Sequence, residues 1–257
     1  FGMGTPQDPF NRQLERRLGD GTEALNFGVP GYQIGQAAAA LADRAAAFAP
    51  DLVLYLYCLN DPQETSRELE GILRWSELPP GRADALRRLW APSRSLLERS
   101  RLWQLLRWRL AGRSAAPAPA APRYRDDMEL ILEGQGEGYY RALYEDPAAR
   151  ARLAAGFDAL ARWSAETGVP VWVVVFPIFV ELDAYRLENL HRIVAEEAAA
   201  RGLRTLDLLP VYQNALRNGG PTFNADPLHP NRNGYGIAAA AVAEALRATG
   251  WEAPGPR

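Results

Sequence analysis

Asp51-Leu52-Val53-Leu54-Tyr55-Leu56-Tyr57-Cys58-Leu59-Asn60-Asp61-Pro62 decides the fold. Residues 52–57 are all apolar or aromatic and show no polar alternation, which suits a strand covered on both faces. Asn60-Asp61-Pro62 ends the run with a turn or helix-start signal. A second run, Val171-Trp172-Val173-Val174-Val175-Phe176, sits between Pro170 and Pro177. Helical segments are expected from about Gln33 to Phe48, Asp146 to Thr167, Leu182 to Arg201 and Asn233 to Ala248, with a short strand near Arg204 to Leu208. Upstream, Glu23-Ala24-Leu25-Asn26-Phe27 precedes a Gly28-Val29-Pro30-Gly31 turn and reads as a further strand. Strands alternating with helices predict an α/β fold, a parallel sheet with helices on both faces. Sites in such sheets form beyond the carboxyl ends of the strands. The loops after Phe27, Tyr57 and Phe176 should therefore share one edge with the loop before the last helix.

Residues 1–249 are expected to form one domain, with 250–257 as a tail. Residues 63–144 break the alternation. They are helical and arginine-rich in character and contain the Pro-Ala linker 114–122, so they read as an insertion after the strand that ends at Tyr57. Within it, from Ser95 to Gly112, Leu96, Trp103, Leu106 and Leu110 fall along one helix face, with arginines around them. Two readings stay open: a helix packed on the body with solvated arginines, or a basic amphipathic lid over residues 95–112 that touches an anionic membrane surface.

With 47 % hydrophobic and 23 % charged residues, the 257-residue chain is neither disordered nor a membrane bundle. No run approaches the ~20 apolar residues needed to span a bilayer. A net charge of −2 gives no general attraction to nucleic acid. Cys58 is the one cysteine, so it forms no intrachain disulfide and reads as a buried structural thiol. Phe1-Gly2-Met3-Gly4 has neither an initiator methionine nor a signal-peptide pattern and reads as an internal start. This leaves the compartment open, with an extracytoplasmic or membrane-anchored setting suspected.

The most specific motif is Asp226-Pro227-Leu228-His229-Pro230-Asn231, followed by Gly234 and the last helix. A nucleophilic serine needs a base for its proton, and the base needs an acceptor to fix its tautomer. His229 and Asp226 can supply both. Taken alone, the pair is equally a loop histidine bonded to a nearby aspartate. A glycine such as Gly28 or Gly31 after a strand allows close backbone approach to a ligand, or simply makes a turn. Asn60 can donate to an oxyanion or cap a helix.

In this order the elements resemble the SGNH or GDSL hydrolase family, whose four blocks are Gly-Asp-Ser, a glycine after the second strand, Asn-Asp after the third, and Asp-x-x-His-Pro near the end. The resemblance covers residues 1–61 and about 147–249. It implies a three-layer α/β/α sandwich of flavodoxin-like architecture. It also implies Asp226 and His229 as catalytic acid and base, and Gly31 and Asn60 as oxyanion-hole donors. Two departures stand out. Cys58-Leu59 precedes Asn60 where the family often has glycine, and the Gly-Asp-Ser block is absent. Because family members commonly run from that block into Phe-Gly-x-Gly, the serine is expected about three residues before Phe1. Ser66, Ser76, Ser93, Ser95, Ser100 and Ser114 lie in or beside the insertion, and Ser164 lies in a predicted helix.

The implied activity is serine ester hydrolysis through an acyl-enzyme, on a small-molecule or carbohydrate ester. The alternatives are a carbohydrate O-acetyltransferase, or a non-catalytic binding or scaffold protein on the same fold. No metal or organic cofactor is expected, since neither a ligand cluster nor a Gly-rich phosphate loop is present. His191, the second histidine, is expected at the surface or half-buried on its helix.

Overall fold

A computed structural model describes residues 8–19, 21–29, 32–63, 135–225 and 227–251. Three strands, β1 (Val53–Tyr57), β2 (Val171–Val175) and β3 (Arg204–Asp207), form a parallel sheet in the order β1-β2-β3. Val53 pairs with Val171 and Tyr57 with Val175, and Trp172 pairs with Arg204 and Val175 with Asp207. The two apolar runs thus lie side by side, and every residue of β2 is buried.

Seven helices accompany the sheet among the described residues: α1 (Phe10–Leu18), α2 (Ile34–Asp43), α3 (Gln135–Glu145), α4 (Pro147–Thr167), α5 (Glu188–Ala199), α6 (Leu209–Arg217) and α7 (Arg232–Ala248). Successive strand residues face opposite sides of a sheet, and the core follows that alternation. Val171, Val173 and Val175 join Ile34, Tyr144, Phe157, Leu190 and Val194 on one face, from α2, α3, α4 and α5. Trp172, Val174 and Phe176 join Leu14, Tyr212, Val242 and Leu246 on the other, from α1, α6 and α7. The result is a three-layer α/β/α sandwich.

Local signals set the ends of α4. Asp146 accepts from the Ala148 and Ala149 N–H groups at 3.1 and 3.0 Å, Pro147 occupies the first turn, and Gly168 ends the helix at φ 73°. That left-handed conformation costs glycine little.

Several expectations need correction. Residues 23–27 form no strand: the segment is extended but joins no ladder among the described residues. It stands across a groove of about 620 Å³ from β1, whose Leu52, Leu54 and Leu56 line the same groove. The free edge of β1 therefore pairs with no described strand. The helix expected over 182–201 is broken. Glu181 takes φ 44°, Leu182–Ala184 make a 3-10 turn, and Tyr185 is extended before α5 begins. The segment expected as one helix over 33–48 is α2 followed by a 3-10 turn, Ala45–Phe48. Helices α1 and α6 had no counterpart in the sequence reading.

The chain divides into two units, residues 1–65 with 128–257, and 66–127. The second unit, with the stripe at 95–112 and the linker 114–122, lies outside the described residues. Helix α3, counted on sequence within the insertion, belongs to the body: Tyr140 and Tyr144 are buried in its core, and the Tyr144 hydroxyl lies 2.5 Å from that of Tyr57. No helix among the described residues is long and apolar enough to cross a membrane.

Candidate active site

Both described members of the expected site, Asn60 and His229, stand in loops at the carboxyl-end edge of the sheet, where the chain leaves β1 and β2. Gly31 and Asp226 lie outside the described residues. Immediately after β1, residues 59–62 form a turn closed by Asp61 N–H to Cys58 O at 3.0 Å and Gln63 N–H to Asn60 O at 3.0 Å. Leu59 is wholly buried and anchors it.

The start of α2 holds the same turn. Ile34 N–H donates to the Asp61 carbonyl at 3.4 Å. The buried Gln33 amide, oriented to satisfy both its ends, donates to the carbonyls of Asn60 at 2.9 Å and Asp61 at 3.1 Å. Gln33 is positioned in turn by its N–H, which donates to Gln36 Oε1 at 3.0 Å. The residues that follow Gly31 are thus fastened to the turn that carries Asn60. From the far side, Arg152 Nε donates to the Pro62 carbonyl at 2.9 Å. The Asn60 carbonyl is taken up by these contacts, and its side-chain amide makes no hydrogen bond within the described residues.

Beside Asn60, Asp61 is 6 % exposed and accepts a hydrogen bond from the Tyr55 hydroxyl. Burial pushes its carboxyl up to about 7, against the opposing effects of the Tyr55 and Cys58 hydrogen bonds. Desolvation, with the Asp61 charge adding to it, also pushes the Cys58 thiol well up. Cys58 is half-buried rather than fully buried as expected, and the upward shift makes it no activated thiolate.

His229 sits in a short hairpin before α7. Asn224 and Pro230 form an antiparallel bridge, Ala225 N–H donates to His229 O at 2.8 Å, and Asn231 N–H donates to Phe223 O at 3.0 Å. Asn231 then caps α7, accepting from Asn233 and Gly234 N–H at 2.8 and 3.1 Å, while its own amide donates to the carbonyls of Thr222 and Asn224. Gly234 is obligatory here, because a Cβ would stand 2.0 Å from the Phe223 carbonyl oxygen. The hairpin is joined to the sheet through the loop after β2, where Phe179 N–H donates to Pro227 O at 2.6 Å. The His229 ring is half-buried.

Ser164 is the sole serine among the described residues, and its hydroxyl donates to the Val169 carbonyl at 2.6 Å. Val169 precedes β2, so this serine lies at the amino-end edge of the sheet, opposite His229. Among the described residues no group of three or more His, Cys, Asp or Glu side chains is arranged to hold a metal ion.

His191 corrects the sequence reading, because it is 2 % exposed. Its Nδ1 lies 2.8 Å from Asp207 Oδ1 and its Nε2 lies 3.0 Å from the Tyr185 hydroxyl. Neither partner is close in sequence pattern, so no periodicity signalled them. The grip of Gln33 on Asn60 was equally hidden, although the spacing of Gln33 and Gln36 at a helix start carries the form of a cap.

A family model described as the GDSL-like Lipase/Acylhydrolase family matches residues 1–237. Searches of curated proteins and of solved structures each returned no match.

Proposed function

From the chain's membership of the GDSL-like lipase/acylhydrolase family, we propose that it acts as a serine ester hydrolase through an acyl-enzyme. The hydrolase class follows from the family. In the proposed mechanism His229 takes the proton of the attacking serine, and Asp226 fixes the tautomer of His229 and stabilises the imidazolium. The Gly31 N–H and the Asn60 amide receive the negative charge that develops on the carbonyl oxygen. Collapse of the tetrahedral intermediate expels the alcohol, which takes the proton from His229. Water then releases the acyl group by the reverse sequence of proton transfers.

One observation carries the reading. Two independent clamps, Gln33 and Ile34 on the Asn60 turn and Phe179 on the His229 hairpin, fix loops at the same edge of the sheet. The loops of the proposed donor and base are thereby held by hydrogen bonds to their backbone carbonyls, which favours the preorganised electrostatic stabilisation such a reaction needs.

The nucleophile is proposed to be a serine about three residues before Phe1. Two features support this. Ser164 stands at the wrong edge of the sheet. The groove beside β1 follows an edge that pairs with no described strand, and Asp61 and residues 23–28 also line it.

The test is labelling with a fluorophosphonate, together with hydrolysis of a short-chain aryl ester, in protein that includes its upstream residues. Labelling of the upstream serine, lost together with turnover in His229→Ala, is expected. A labelled serine within residues 1–257, or turnover that survives the loss of His229, overturns the mechanism. The acceptor is read from the same reaction, since acyl transfer to an added carbohydrate in preference to water would replace hydrolase with O-acetyltransferase.

A further inference from the structure

The Phe179 clamp on the His229 hairpin is itself held by a chain of polar groups, centred on the buried His191, that the proposed mechanism does not use. Asp207 closes β3. Its Oδ1 accepts from Leu209 N–H at 2.9 Å and faces Nδ1 of His191 at 2.8 Å. Across the ring, His191 Nε2 lies 3.0 Å from the Tyr185 hydroxyl, which in turn accepts from Ile178 N–H at 3.1 Å. Ile178 adjoins Phe179, whose N–H holds Pro227. The chain thus runs from the end of β3, through α5 and the broken helix segment, to the loop that fixes the hairpin of the base.

The direction of each bond follows from donor chemistry. In the neutral-imidazole arrangement that satisfies every partner, Nδ1 donates to the Asp207 carboxylate and Nε2 is left as an acceptor. The Tyr185 hydroxyl must then donate to Nε2, which leaves its oxygen to accept from Ile178 N–H. Every donor has one acceptor. Burial pushes the Tyr185 phenol far above its ordinary value, so it stays protonated and serves as a donor, not as a nucleophile. The ring of Tyr185 meets that of His191 edge-on, with centroids 5.4 Å apart and planes 86° to each other. A satisfied network around the buried His191 favours one geometry, because turning its ring would leave buried polar atoms unpaired.

We propose that His191, Asp207 and Tyr185 are positioning residues for His229, setting through Ile178 and Phe179 the place of the loop that carries the base. The proposal rests on the reading of His229 as that base. Its core prediction, mechanical coupling of Tyr185 to the His229 hairpin, is testable without turnover. Tyr185→Phe removes one oxygen and leaves Ile178 N–H and His191 Nε2 unpaired. The control is Tyr144→Phe, which removes a buried hydroxyl on α3 that is paired with Tyr57 of β1 and makes no hydrogen bond to this chain.

Amide exchange at Phe179 and the imidazole resonances are the readouts. With only two histidines in the chain, the resonances assign themselves once His191 is replaced. Tyr185→Phe should speed exchange at Phe179 by at least about tenfold and move the His229 resonances, while Tyr144→Phe does neither. In protein competent for turnover, Tyr185→Phe should lower kcat about tenfold with KM unchanged, as for an interaction that acts through the base. If Tyr185→Phe does not fold, Asp207→Ala takes its place. That carboxylate is 35 % exposed, so water can serve Leu209 N–H while His191 loses its anchor. Unchanged Phe179 exchange and unchanged His229 resonances in a folded variant overturn the positioning role. Altered resonances in protein without esterase turnover would instead uphold the coupling and fault the proposed activity.

Discussion

Gly234→Ala tests how tightly the His229 hairpin is built. The added Cβ would stand 2.0 Å from the Phe223 carbonyl oxygen and 2.9 Å from Pro230 Cβ. A carbon–oxygen contact needs about 3.3 Å, so the two backbone segments must part by more than about 1 Å. Phe223 O is also the acceptor for Asn231 N–H, at 3.0 Å, and that bond closes the hairpin. Overpacking of this kind costs about 1–3 kcal/mol and the lost hydrogen bond about 1 kcal/mol more. Helix propensity returns less than about 1 kcal/mol. The net loss of about 2–3 kcal/mol corresponds to a Tm lower by about 5–10 °C for a domain of this size. Gly138→Ala is the control: it lies within α3 with nothing within 4 Å of the added methyl, and should raise Tm by about 1–3 °C. Thermal unfolding followed by far-ultraviolet circular dichroism measures both. A Gly234→Ala protein as stable as its parent would show that the hairpin yields freely, and would remove the rigid placement assigned to His229.

Asp61 should make stability depend on pH. Its folded-state value of about 7 stands above its ordinary 3.8, so the folded protein holds the proton more tightly. The stabilisation is complete below about pH 4 and is lost as pH rises through 7. Relative to wild type, Asp61→Asn should therefore gain stability across that window, by on the order of 4 kcal/mol at most, and parallel urea midpoints from pH 4 to 8 would refute it. Asn231→Ala removes the α7 cap and the ties to Thr222 and Asn224. It should cost about 2–3 kcal/mol in urea unfolding, and a loss below about 0.5 kcal/mol would count against it. In protein competent for turnover, His229→Ala should lower kcat by on the order of 10³-fold. Asn60→Ala should lower it about 10²-fold with little change in KM. A loss confined to KM would make Asn60 a substrate-binding group.

The parallel sheet was legible because residues 52–57 and 171–176 are apolar without alternation, the mark of strands buried on both faces. Helix α4 was legible from Asp146-Pro147 at its start and Gly168 at its end. Residues 182–187 misled because their composition suits a helix, while the break depends on Glu181 at φ 44° and on the Tyr185 hydroxyl reaching back to Ile178. Those are tertiary contacts with no sequence period. Residues 23–27 misled for the converse reason: their β-prone character is real, but a strand exists only through its neighbour, and none of the described residues pairs with them. Of the proposed site, Asn60 and His229 could be named from residue type and motif order. The holding roles of Gln33, Phe179 and Asn231 could not, because bonds to carbonyls of other segments follow from the tertiary fold.

The outer edge of β1, which pairs with no strand among the described residues, has a practical consequence for anyone handling this chain. Val53-Leu54-Tyr55-Leu56-Tyr57 has no charge, no proline and no glycine, and it presents backbone donors and acceptors to a groove lined with leucine. Such an edge templates strand addition between molecules, the first step toward ordered aggregates. Self-association that rises with concentration is the behaviour such an edge predicts.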